Sequence, residues 1–191
     1  MSLEARWRAA AEVTDVLADP PRPPVVGFEG YVPEPCVLHP EQVRTYPFAG
    51  LLPEELRERI YAWEDQLEEE GEEDEEDEGE YAGAGGTAGS VGYQYDLSIP
   101  PGWRVGGYAS WHTTDPARMD CASCATPMEL LLTVDSSEWD GGSASWRPVE
   151  EAGLHPHPHA VPTQVIVGRA GELNLFACPS DPAHPHRWSI Q

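Results

Sequence analysis

Asp120-Cys121-Ala122-Ser123-Cys124-Ala125-Thr126-Pro127-Met128-Glu129-Leu130-Leu131-Leu132-Thr133-Val134-Asp135 joins a Cys-x-x-Cys knuckle directly to an apolar strand. Further on, Leu173-Asn174-Leu175-Phe176-Ala177-Cys178-Pro179 has the reverse order, an apolar strand running into a cysteine, with His184 and His186 close behind. Thiolate sulfur and imidazole nitrogen are the usual ligands of tetrahedral zinc, and a Cys-x-x-Cys turn supplies two of them. If the two strands lie side by side, Cys121, Cys124, Cys178 and His184 meet as one structural zinc site. His186, Cys36 and His39 are the alternatives for the fourth position. A thioredoxin-like redox role would need the motif to follow a strand and open a helix. Here it precedes a strand. Four protein ligands leave no open position for water, so a closed site of this kind stabilises a fold and does not catalyse.

The surrounding chain fits one domain with an extension. It has 191 residues, with 18 Gly and 20 Pro, which favours many turns and short elements over long helices. The formal net charge is -23, from 34 acidic and 11 basic residues. No basic cluster is present, which argues against a nucleic-acid footprint and against an anionic membrane surface. The partner this balance favours is a basic protein or peptide segment. No apolar run approaches the length of a membrane span. The N-terminus lacks a basic region followed by an apolar one, so the expected location is the cytosol, where cysteines serve as metal ligands or reduced thiols.

Read in order, the chain predicts an α+β fold with a mainly antiparallel sheet, N-terminal helices and a disordered acidic insertion. Ser2 can cap a first helix that ends at Asp19-Pro20-Pro21. Pro40 suits the start of a short turn. The clearest helix begins after Pro53, with Leu56, Ile60, Trp63 and Leu67 as its apolar stripe. It closes a helical N-terminal part, residues 1–67. Residues 68–90 are then an acidic, Gly-rich flexible insertion, a solvated tether or a docking tail. Residues 91–191 are the β-rich zinc-knuckle part. There Val91, Tyr93, Tyr95, Leu97 and Ile99 alternate with polar residues, a strand pattern. Met128–Val134 reads as a central strand, Thr163–Gly168 and Glu172–Ala177 as a hairpin around Arg169-Ala170-Gly171, and Arg187–Ile190 as a last short strand.

Gly106-Gly107-Tyr108-Ala109-Ser110-Trp111, Asp120-Cys121-x-x-Cys124 and Pro127-Met128-Glu129-Leu130-Leu131-Leu132-Thr133-Val134-Asp135-Ser136 together resemble the YwqG-like family of bacterial proteins of unknown function. Leu173–Cys178 is similar to that family's closing strand. The order Cys-x-x-Cys, Pro-Met, Leu-Leu-Leu and then Leu-x-x-Phe-x-Cys also resembles the programmed-cell-death-2 type ribosomal-protein chaperones. The resemblance runs from Gln94 to Trp188. It implies a mixed α+β fold with antiparallel sheet and no established activity. The chaperone link is an analogy of fold and not of site. Two departures stand out: the family's earlier Gly-Gly-x-x-x-Trp-Pro segment is missing, which implies a shortened N-terminus, and the second metal pair is Cys178 with His where some relatives use cysteine.

Other residue groups have side chains that could carry chemistry. His155-Pro156-His157-Pro158-His159 could hold a divalent metal loosely, but the proline backbone splays alternate rings and an exposed loop is the simpler reading. His112 beside Asp115 could form an acid–base pair, with no nucleophile at a recognisable spacing. Glu129 and Asp135 share a face if the strand is regular, whereas Glu138 and Asp140 read as turn carboxylates; a glycosidase would need two of these facing across a cleft. Trp103, Tyr108, Trp111, Trp139, Trp146 and Trp188 could line a groove or pack the core. Gly83–Gly89 lacks the Lys and the flanking strand of a phosphate loop. The function this favours is a non-catalytic, zinc-stabilised cytosolic protein-interaction module, chaperone-like in holding a basic client. The alternatives are a metal-dependent hydrolase, recognisable by an open metal position, and an immunity- or antitoxin-like binder.

Overall fold

The computed structural model describes residues 8–14, 32–37, 39–75, 91–151, 153 and 160–191. Its framework is a four-stranded antiparallel sheet, β1 (Arg104–Val105), β2 (Glu129–Asp135), β3 (Glu172–Ala177) and β4 (Arg187–Ile190), in the order β1-β2-β3-β4. Leu-Leu-Leu-Thr-Val in β2 and Leu-Asn-Leu-Phe in β3 supply the side chains that suit a pleated, covered surface. β2 is central, as its apolar run predicts, and pairs with β3 from Glu129↔Ala177 to Asp135↔Glu172. The register shifts between Leu130 and Leu132, so Leu131 forms a bulge. Buried positions on β2 are therefore Leu130 and Thr133, three apart instead of two. The same-face expectation for Glu129 and Asp135 needed a regular strand and fails for this reason: Glu129 is exposed and Asp135 half-buried.

β1 is only two residues long, pairing Arg104↔Thr133 and Val105↔Leu132. Gly106 and Gly107, at φ 73° and 81°, turn the chain away from it. At Gly107 a Cβ would sit 2.9 Å from Thr45 Oγ1, so the glycine serves close approach as well as the positive φ.

The core lies on one face of β2 and β3. Ala109, Trp111, Cys121, Met128, Leu130, Phe176 and Cys178 form one buried cluster, with Phe48 and Met119 packed against it. Leu130 and Phe176 are register partners, and Phe176 stacks on Trp111 with centroids 6.4 Å apart. Each buried side chain of this size contributes ~1.5–3 kcal/mol. Two of the cluster's members, Cys121 and Cys178, are candidate ligands, so the site is anchored in the core and not appended to it.

Two expected strands differ. Val91–Ile99 alternates like a strand, yet Tyr93–Ser98 is a π-helical turn. Local polar groups outcompete the ladder there: Asp96 Oδ2 accepts Gly92 N at 2.7 Å and Ser98 Oγ donates to Gln94 O at 3.0 Å. Thr163–Gly168 is not a strand; Gln164 has φ 55°, and only Val167 bridges to Gly171. The amide of Val167 donates instead to Ser136 Oγ at 2.8 Å.

The helix after Pro53 exists and is α1 (Glu54–Glu75). It carries on past Leu67 into the expected insertion, because a run of Glu is a good helix former. Its stripe is loosely covered: Ile60 and Leu67 are half-buried while Leu56 and Trp63 are exposed. Glu64 ties it down by accepting Tyr93 N at 2.7 Å. The expected first helix lies mostly outside the described residues, which show one 3-10 turn at Ala10–Glu12. Pro40 opens no helix; the nearest turn is the 3-10 segment Ala49–Leu51. The rest of the insertion and the His155–His159 tract lie outside the described residues.

Candidate metal centre

The knuckle is built from backbone bonds that the sequence permits. Asp120 and Pro127 form an antiparallel bridge, and Cys121 N donates to Thr126 O at 2.9 Å while Ala125 N donates to Cys121 O at 2.8 Å. Ala125 takes the left-handed conformation, φ 57°, that closes so tight a turn. Met128 N donates to Met119 O at 2.7 Å and leads straight into β2. β3 ends at Ala177, beside Glu129, which delivers Cys178 next to the knuckle. The next loop returns His184, its amide bonded to Asp181 O at 3.1 Å.

Cys121, Cys124, Cys178 and His184 offer ligand atoms that all lie within 4.8 Å of one another. Cys124 Sγ and Cys178 Sγ are 3.6 Å apart, and Cys121 Sγ is 3.5 Å from His184 Nδ1. A tetrahedral ion with metal–sulfur bonds of about 2.3 Å and metal–nitrogen bonds of about 2.0–2.1 Å spaces its ligands about 3.5–3.8 Å apart. The residues present therefore fit a four-coordinate metal ion. Among the described residues, the alternatives for the fourth position do not join them: Cys36 and His39 are exposed and outside the cluster, and His186 is half-buried and also outside it, its Nε2 buried without a partner.

The surrounding dipoles favour thiolate at two sulfurs. The Thr126 hydroxyl and amide hold Cys124 below the ordinary thiol value. At Cys178 burial opposes ionisation, but the amides of Asp181 and Ser180 prevail and the pKa is lowered. At Cys121 burial prevails and the pKa is raised, against the amides of Ser123 and Cys124. A bound cation would reverse that balance, since thiolate is the ligating form. His184 presents Nδ1 to Cys121, and its Nε2 lies 3.8 Å from Asp181 Oδ2. A carboxylate behind a ligating imidazole orients the ring and raises its basicity. Sequence reading missed Asp181 and Thr126. Their signal was available, since each stands within three residues of a ligand.

A second polar group went unread. Glu172 and Asn174 alternate with leucines on β3, a pattern that ordinarily marks a solvated face, yet both are buried. Thr133 Oγ1 donates to Asn174 Oδ1 at 2.7 Å, Asn174 Nδ2 donates to Glu172 Oε1 at 2.7 Å, and Ser110 Oγ donates to the same Glu172 oxygen. Arg104 Nη2 meets Glu172 Oε2 at 3.1 Å, with the two side chains 8% and 4% exposed. Burial pulls the guanidinium of Arg104 below its usual value, against the attraction of Glu172.

The remaining expectations resolve simply. His112 lies parallel to Tyr95, ring centroids 6.4 Å apart. Asp140 closes a turn by accepting Gly142 N, Ser143 N and Ser143 Oγ. Trp111 and Trp139 are buried, whereas Trp103, Tyr108 and Trp188 are exposed. None of the six aromatics lines either cleft described below. Among the described residues no helix is long and apolar enough to cross a membrane. The chain finds no match among protein-family models, curated proteins or solved structures.

Proposed function

We propose that this chain is a non-catalytic protein-interaction module, stabilised by zinc, that binds a basic segment of another protein. The observation that carries the reading is the closed ligand set: three thiols and one imidazole, all from protein, at tetrahedral spacing and half sunk in the core. Sulfur-rich tetrahedral sites select zinc among common divalent ions and leave no position for a reacting water. The ion holds the Cys121 knuckle to the end of β3 and fixes that end of the sheet. A reducing compartment, the cytosol, keeps the three cysteines available as ligands. The net charge of -23 supplies the attraction for a basic client. The shared order of Cys-x-x-Cys, Leu-Leu-Leu and strand-end Cys supports the likeness to YwqG-like and programmed-cell-death-2 type proteins, and with it a client-holding role.

Metal analysis of protein purified under reducing conditions tests the first half: about one zinc per chain, lost in Cys121→Ser. Zinc far below one equivalent, or an exchangeable water on the ion, would remove the closed site. Anisotropy of a fluorescent Lys/Arg-rich peptide tests the second half. Binding that weakens steadily with salt is expected, and no binding at low salt would rule the partner class out.

A further inference from the structure

A cleft of about 500 Å³ opens where β2 ends and β3 begins. Its wall contains Arg104, Asp135 and Glu172 from the sheet and Gln94 from the π-helical turn. Two donors in that wall have no acceptor. Arg104, 8% exposed, gives Nη1–H to Tyr108 O and Nη2–H to Glu172, while its Nε–H is unpaired. Gln94 accepts Ala49 N through Oε1, while its Nε2 is buried and unpaired. Buried donors left unmade are costly and are seldom retained without a reason.

The same wall carries a carboxylate with no ion pair of its own. Asp135 accepts Gly102 N at 3.1 Å and Ser137 N at 3.3 Å, and among the described residues it forms no ion pair. Burial pushes its carboxyl up, the amides of Gly102, Ser137 and Ser136 oppose this, and Glu172 pushes it further. Of the two arginines in the wall, Arg104 is neutralised by Glu172 and Arg169 stands on the exposed turn. Ile99 and Pro100 form a buried apolar flank, and the parallel rings of Tyr95 and His112 form another. Tyr95 and Gly142 also belong to a second cleft of about 400 Å³, where Glu64, Asp65 and Glu68 of α1 face Asp96. Tyr95 and Gly142 thus line both clefts, and carboxylates outnumber basic residues in each.

We propose that this cleft seats an extended basic segment of a protein partner, with an arginine side chain passing Ile99 and Pro100 to pair with Asp135. The assignment rests on the reading of the chain as a binder of basic segments, and it names where and by which residue. Arginine suits the cleft better than lysine. Its planar fork matches a carboxylate and stacks on rings such as Tyr95, and its methylene stem suits an apolar flank. The carboxylates of the neighbouring cleft draw further basic residues of the same segment along α1.

The test is a titration of the zinc-loaded full chain, isotopically labelled, with acetyl-Gly-Arg-Gly amide and with the same peptide carrying citrulline for arginine. The arginine peptide should shift the Gly102 amide, the Gln94 side-chain amide and the Arg104 Nε–H signals. The citrulline peptide should bind at least about tenfold more weakly, and Asp135→Asn should lower the arginine affinity by a similar factor. The citrulline arm needs no altered protein and so does not depend on how that variant folds. Equal binding of both peptides, or shifts confined to α1, would overturn the cleft while leaving the basic-segment reading intact. No shift with this peptide or with a longer basic one would overturn both.

Discussion

Removing the metal is the perturbation with the largest expected effect. The sulfurs of Cys124 and Cys178 lie 3.6 Å apart. As two thiolates with no cation between them, they repel by about 4–5 kcal/mol at an effective dielectric of about 20. A metal-free chain escapes this repulsion by keeping one thiol protonated, so the loss of the metal–ligand bonds sets the cost, which is of similar size or larger. At about 2–4 °C per kcal/mol for a chain of this length, the midpoint of thermal unfolding should fall by about 10–20 °C. Circular dichroism melts before and after a strong chelator measure this, with zinc re-added as the control. Trp111 packs on Phe176 in the cluster that contains Cys121 and Cys178, so near-ultraviolet signal should fall with the metal. A midpoint unchanged within about 2 °C, with metal analysis showing the ion gone, would refute the argument that these four residues clamp the fold.

Three further outcomes follow from the packing. Phe176→Ala opens the face shared by Trp111 and Leu130 and should cost ~3–5 kcal/mol in urea unfolding. Glu172→Ala strands the buried guanidinium of Arg104 and should cost ~3–5 kcal/mol, while the pair Arg104→Met with Glu172→Leu should recover most of that; a double variant no better than the single one would count against a buried ion pair. Asp135 has a folded pKa above its ordinary value, so the folded chain holds this proton more tightly than the unfolded one. Its contribution is therefore fully present below the ordinary carboxyl range and lost as pH rises through the raised value. Denaturant titrations across that window should show Asp135→Asn flattening this fall in stability.

The parts of this fold that were legible in the sequence are those where local pattern and tertiary setting agree. Leu130-Leu131-Leu132 and Leu173–Ala177 are apolar runs long enough for strands, and the cysteines flanking them imply that the strand ends meet. The three thiols follow from that, whereas His184 was one of four candidates for the fourth position and the assembled fold singles it out. Where a side chain bonds its own backbone, the pattern misleads. Tyr93–Ser98 alternates correctly, but Asp96 and Ser98 close a turn. Gln164, with its positive φ, breaks Thr163–Gly168 in a way that composition does not announce. β1 was invisible because two residues carry no period. Glu172 and Asn174 were not singled out for a different reason: alternation tells which residues share a face, and only the assembled fold tells whether that face is wet.

The ligands fall into two local pairs that are distant from each other. Cys121 and Cys124 share one turn, and Cys178 and His184 share one loop, yet Cys124 and Cys178 are 54 positions apart. Each pair can capture an ion while the chain is still open, before any strand is paired. Joining the pairs then closes a long loop, whose entropic cost rises only with the logarithm of its length. The ion would thus act as a meeting point that brings β2 and β3 into register early, turning a slow search for a non-local strand partner into a short one. Refolding should accordingly be faster when zinc is present from the start than when it is supplied afterwards.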